Sequence, residues 1–189
     1  MANNDPSAHP IAAPPLAARS QHYGPAAEES TLRQVMGRFP TGVTVLTAAG
    51  QHCHGMTANA FTSVSLDPPL VLCCVARTAR MHKAITAEHR FAVSLLEAGQ
   101  EQVARYFADR DRPAGPAQFD TVEWLPGPHT GAPLLSGSLA WLECEVAQVH
   151  EGGDHSIILG QVLSSTSGSG QEALLFFNGC FQRAGSPTR

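Results

Sequence analysis

The sequence predicts a mainly β fold, a β-barrel with short helical insertions. Three observations lead there. Apolar, β-branched runs recur at short intervals, separated by Gly, Pro, Ser and Asn. Only two or three brief stretches carry helical spacing. No G-x-G-x-x-G lies between a strand and a helix, so a nucleotide site of the doubly wound kind is excluded. The chain has 189 residues and is 43% hydrophobic, enough for one domain with a full core.

The elements follow in order. Residues 1–28 are rich in Ala, Pro, Ser and Asn without apolar periodicity, and read as a disordered tail. Ser30 reads as the N-cap of a short helix with Leu32, Val35, Met36 and Phe39 on one face, stopped by Pro40. Gly42–Ala48 alternates as a strand, and Gly50-Gln51 reads as a turn into a second strand near His54–Ala58. PLVLCCVA (Pro69–Ala76) is continuously apolar, as in a strand covered on both faces. Ala79–Glu88 and Gln100–Arg110 have helical spacing, the second with Val103, Tyr106 and Phe107 inward. Phe91–Leu96 lies between them as a strand, and DRPAGPAQF after them as a Pro/Gly loop.

Further strands are expected at Val122–Leu125, Ser138–Val149 and Ser156–Ser164, the last two joined by the turn EGGD. Ala173–Gln182 closes the pattern, so that the domain is expected over residues 29–184 and a tail over 185–189.

A net charge of −4 argues against a general nucleic-acid binder, while leaving room for a local cationic pocket. No apolar run is long enough to span a membrane, and residues 1–28 lack the apolar segment of a secretory signal. The five cysteines are odd in number and include no C-x-x-C. Reduced, mostly buried thiols in a cytoplasmic protein are therefore expected. No metal site is expected, because no Cys/His cluster has ligand spacing. Cys144 sits between Glu143 and Glu145, which would raise its thiol pKa.

Three stretches could carry chemistry. From Met56 to Ser65 the residues are small and uncharged. Such residues admit backbone amides to the edge of a planar ring, and Asn59, Thr62, Ser63 and Ser65 could bond its carbonyls, nitrogens or a ribityl chain. The same composition also describes a polar surface loop. In EGGDHSIILG, Gly152 and Gly153 permit a tight turn that sets Asp154 and His155 at the mouth of a strand. His155 could bond a dinucleotide with Asp154 fixing its tautomer, or both could be exposed turn residues. RTARMHK places Arg77, Arg80 and His82 around a helix start, which suits phosphate or simply a solvated face.

Together these stretches resemble the flavin reductase-like family of short-chain flavin:NAD(P)H reductases. The matching text spans about Leu32 to Phe181. It includes FPTGVTVLT, HGMTANAFTSVSLDPPLVL, ARMH, FAVSLL, QFDTVEW, GAPLLSGSLAWLEC and GGDHSIILGQV. The resemblance implies an FMN-binding split barrel, a homodimer, that uses NADH or NADPH to reduce FMN or FAD. Many such proteins pass reduced flavin to a partner flavin-dependent monooxygenase.

By residue, the resemblance places Thr57, Ala58, Asn59, Ala60, Thr62 and Ser63 along the flavin ring and ribityl chain. Pro40, Thr41 and Gly42 lie near the flavin, and the segment Arg77 to His82 near its phosphate. Gly153, Asp154 and His155 serve the nicotinamide nucleotide, with His155 as the expected catalytic-site residue. Hydride is expected to pass directly from nicotinamide C4 to flavin N5, so that alignment rather than a side-chain nucleophile drives the reaction. The absence of an obvious Arg cluster beside the Gly153–His155 turn leans toward NADH. Two alternatives stand beside this reading. One is a flavin- or haem-binding carrier without turnover; the other is a flavin-dependent reductase of another acceptor.

Overall fold

A computed structural model describes residues 31–184. The expected tails, 1–28 and 185–189, and the Ser30 cap lie outside the described residues. Helix α1 (Leu32–Met36) belongs to a unit that ends at Met36; the remaining elements belong to the unit that starts at Gly37. In α1 the reciprocal bonds of a capping box join Thr31 and Gln34. It stops well before Pro40, and Leu32, Val35 and Met36 are exposed rather than buried on one face.

The second unit is built on an antiparallel seven-stranded sheet. In chain order its strands are β2 (Thr44–Ala48), β3 (His54–Ala58), β4 (Phe61–Leu66), β5 (Pro69–Ala76), β6 (Arg90–Leu95), β9 (Ala140–Gly152) and β10 (His155–Ser167). Their spatial order is β3-β2-β6-β9-β10-β5-β4. The two ends of this sheet, β3 and β4, are consecutive in sequence and separated by Asn59 and Ala60 alone. The sheet must therefore curl until its ends nearly meet, yet they share no ladder. This is a barrel with a split. The Ala58 carbonyl accepts from the Thr44 hydroxyl at 2.8 Å, and the Ala60 carbonyl from the Cys74 amide at 2.9 Å. Each side of the split is thus tied to its own strand.

Strand β2 is buried at every position. Its alternation feeds two cores, Leu46 and Ala48 entering one and Val45 the other. Helix α2 (Arg80–Glu88) covers the first core through Met81, Ala84 and Ile85. Helix α3 (Glu101–Ala108) enters the second through Ala104 and Phe107, with Val103 and Tyr106 half-buried. Strand β5 alternates instead of being covered throughout: Val71, Cys73 and Val75 are buried and the residues between them are not.

Two small sheets complete the unit. One pairs β1 (Thr41–Gly42), β11 (Leu174–Phe177) and β12 (Cys180–Arg183); the other pairs β7 (Trp124–Pro126) and β8 (Pro133–Leu135). Three features were not expected. The polar stretch after Ala60 is an edge strand, β4. Ala173–Gln182 holds a hairpin whose turn, Asn178-Gly179, has both residues at positive φ. Glu151 and Gly152 belong to β9, so Gly153 alone takes positive φ, at 70°.

All five cysteines are free. Burial first, and Glu143 second, push the Cys144 thiol up to about 12, so the acidic neighbour expected to raise it is the smaller cause. Glu143 itself is 1% exposed. One carboxylate oxygen accepts from the His129 amide at 3.0 Å and from the Thr130 amide and hydroxyl at 2.8 Å; the other accepts from Ser164 at 3.3 Å. Burial alone would raise its pKa, but these donors outweigh it and hold the carboxyl below its ordinary value. A depressed folded-state pKa adds stability above the unfolded value, which is lost as pH falls through the folded one. Glu143→Gln is therefore expected to lower Tm near neutral pH and to flatten the acid side of a Tm-against-pH curve.

Candidate active site

A cavity of about 500 Å³ opens at the split. Its size falls within the range of small-molecule sites, about 300–1,000 Å³. One wall is the edge of β3 with the two-residue link, including Thr57, Ala58, Asn59 and Ala60. The face of β5 that points away from the core supplies Cys74 and Ala76. The start of α2 adds Thr78, Ala79 and Arg80. The N-cap of α2, Ala79, makes no side-chain capping bond; its carbonyl instead accepts from the His82 amide at 3.1 Å. Phe107 and Ala108, at the end of α3, and the loop beyond it close the far side.

His155 lines the same cavity, because the β10–β5 register sets it opposite Ala76. The link and His155, far apart in sequence, thus meet at one site within one chain. His155 Nδ1 lies 2.8 Å from Asp154 Oδ1. That hydrogen bond, and then the imidazole's charge, hold the Asp154 carboxyl below its ordinary pKa. The Asn59 amide donates to the Thr41 hydroxyl at 3.1 Å, which fixes how the link is presented. Thr57 donates its hydroxyl to the Ala104 carbonyl at 2.7 Å, tying β3 to α3.

Of the residues singled out from the sequence, Thr57, Ala58, Asn59, Ala60, Arg80 and His155 line the cavity. The others do not. Pro40 and Gly42 flank Thr41, behind Asn59. Thr62, Ser63 and Ser65 lie on β4, where Thr62 and Ser63 are exposed. His82 is turned to Ser156, 2.9 Å away. Gly153 and Asp154 form the turn ahead of His155. Arg77 sits beside that turn, its amide donating to the Asp154 carbonyl at 3.0 Å. Its guanidinium lies 3.9 Å from Glu151, so this cation faces a carboxylate.

His54, Arg110 and Arg112 also line the cavity and were missed. The arginines lie in a stretch that reads as a solvated helix end. The contacts that bring it to the site are long-range. Buried Gln118 accepts from the Gly55 amide at 2.7 Å and donates to the carbonyls of Gly115 at 2.7 Å and Cys53 at 3.3 Å. Arg112 donates to the Gly55 carbonyl. Residue 55 is glycine because a Cβ there would lie 2.6 Å from the Phe107 ring. The result is a cavity lined, among the described residues, by three guanidiniums and no carboxylate, inside a chain of net charge −4. Among the described residues no group of His, Cys, Asp and Glu could hold a metal ion, and no helix is long and apolar enough to cross a membrane.

The flavin reductase like domain matches residues 36–185. The chain is 57% identical over 152 residues to the NADH-dependent FAD reductase of Streptomyces globisporus, covering 80% of this chain and 84% of that protein. It is 38% identical over 152 residues to HsaB of Mycobacterium tuberculosis, a flavin-dependent monooxygenase reductase subunit, covering 79% of each. Among solved structures it resembles the Streptomyces globisporus NADH:FAD oxidoreductase SgcE6 in complex with NAD and FAD fragments. There the TM-score is 0.79 at 52% identity, over 84% of this chain and 93% of that one. With a split seven-stranded barrel, a cavity at the split and these likenesses together, the chain belongs to the flavin reductase like domain family.

Proposed function

We propose that this protein is an NADH-dependent flavin reductase that reduces FAD or FMN and passes the product to a partner flavin-dependent monooxygenase. The observation that carries the reading is the convergence of the Asn59–Ala60 link, the start of α2 and His155 on one cavity. The names of the relatives support the choice of NADH and of a monooxygenase partner. The residues fit the ligand. Ala58 and Ala60 leave room for a flat ring, Asn59 can offer its side-chain carbonyl to a ring edge, and the guanidiniums suit a phosphate.

Bound there, flavin supplies the two-electron acceptor for the hydride of NADH, while the proton comes from water. The chain aligns, neutralises charge and excludes solvent. His155, oriented by Asp154, positions the nicotinamide nucleotide. Alignment of this kind supplies up to about 7–11 kcal/mol of barrier lowering. The unpaired thiols support a cytoplasmic setting, and residues 29–184 make up the working domain, which acts as a homodimer.

The test is anaerobic mixing of the purified protein with NADH and each flavin. Loss of the visible flavin absorbance, with release of reduced flavin through a dialysis membrane, is the expected result; flavin that stays oxidised overturns the reading. His155→Ala is expected to raise KM for NADH about tenfold, ~1.4 kcal/mol, with flavin Kd unchanged. Unaltered NADH kinetics would remove His155 from the site.

A further inference from the structure

Arg112 is held in an unusual way. Its guanidinium donates to the carbonyls of Gly55 and Asp109 and lies 3.1 Å, through Nη2, from Nε2 of His54. It also stacks 5.9 Å above the Phe107 ring. Among the described residues no carboxylate forms an ion pair with it, although Asp109 acts on it electrostatically. The nearby Asp109 side chain is turned instead to the Asp111 amide, at 2.9 Å. Arg112 Nε is buried and has no partner among the described residues.

His54 is 7% exposed, and burial, then Arg112 and Arg80, lower its pKa to about 4. Near neutral pH it is therefore uncharged and can accept at Nε2, which an arginine requires of its partner. Two backbone carbonyls and one neutral imidazole thus fix the guanidinium without cancelling its charge. Arg80 and Arg110, both exposed, line the same cavity, and among the described residues no ion pair neutralises either.

We propose that Arg112, aimed by His54 and joined by Arg110, binds the phosphate end of a nucleotide in this cavity and makes the site select phosphorylated over unphosphorylated ligands. The proposal rests on the flavin reductase reading and deepens it. Arg112 is the specificity-determining residue and His54 a positioning residue. The phosphate can come from the flavin nucleotide or from the nicotinamide dinucleotide.

The experiment uses the full chain and Arg112→Met, Arg112→Lys and His54→Leu. Fluorescence titrations without nicotinamide give Kd for riboflavin, FMN and FAD; steady-state assays give KM for NADH; and Tm is measured with and without inorganic pyrophosphate. In Arg112→Met, Kd for FMN and FAD is expected to rise about ten- to hundredfold, the range for a lost charge-assisted bond, with riboflavin within about twofold. His54→Leu moves the same ratio less, and Arg112→Lys restores part of it. The Tm increase given by pyrophosphate is lost in Arg112→Met. If flavin constants hold while KM for NADH rises tenfold, the phosphate is that of the nicotinamide nucleotide.

Equal weakening of riboflavin and FMN, or pyrophosphate stabilisation that survives in Arg112→Met, overturns the proposal. Arg110→Met, which removes an exposed side chain, carries the same readings if Arg112→Met fails to fold. Pyrophosphate stabilisation needs no turnover, so a protein that reduces no flavin defeats the functional reading without deciding this one.

Discussion

Ala76→Trp is expected to abolish flavin binding while leaving the fold intact. Strand β5 sends Val71, Cys73 and Val75 into the main core and presents Cys74 and Ala76 to the cavity. An indole at position 76 therefore fills the site without displacing a core side chain. It also stands opposite His155 in the β10–β5 register, between the two walls that the ligands must share. The expected rise in flavin Kd is at least about hundredfold, ~2.7 kcal/mol. Tm should move by no more than about 2 °C, because changes that spare the core cost within about 0.5 kcal/mol. An unchanged Kd would put the flavin elsewhere; a collapsed Tm would mean that this face of β5 is core.

Phe107→Ala is expected to produce the largest loss of stability. Its ring is fully buried and packs on Tyr106 at 5.1 Å and Phe119 at 5.4 Å. It also lies under Gly55 and beneath the Arg112 guanidinium. Truncating such a ring costs about 3–5 kcal/mol, or about 6–20 °C in Tm at 2–4 °C per kcal/mol for a domain of this size. The partner substitution makes the argument sharper. Gly55→Ala alone drives a methyl into the Phe107 ring and should cost about 1–3 kcal/mol. In the Phe107→Ala background that methyl keeps only the looser approach, 3.1 Å, to the Phe119 ring, so the two losses should fall well short of additive. Full additivity would show that the ring does not explain the glycine.

The strands with strong local patterns were legible: His54–Ala58, the apolar run at Pro69–Ala76 and both longer helices lie within a residue or two of their expected bounds. Strand β4 was not legible, because Thr62, Ser63 and Ser65 are polar and only pairing with β5 makes the segment a strand. The final hairpin had its signal in Asn178-Gly179 and was read through it. In the site, Asn59, Arg80 and His155 carry recognisable local sequence. Arg112 and His54 do not, since what unites them is Gly55 bonded to residues 112 and 118, a contact that no periodicity encodes. Likewise, the burial that raises the Cys144 pKa comes from neighbouring strands, while the sequence displays only Glu143 and Glu145.

The central claim is that flavin and nicotinamide meet in the cavity at the split. It is tested most directly by following flavin absorbance after anaerobic mixing with NADH, in the native protein and in Ala76→Trp side by side. The account predicts stoichiometric bleaching, one NADH consumed per flavin, in the native protein and loss of at least about hundredfold in rate in the variant at subsaturating flavin. Bleaching by Ala76→Trp at the native rate would contradict it, because the chemistry would then proceed with this cavity filled.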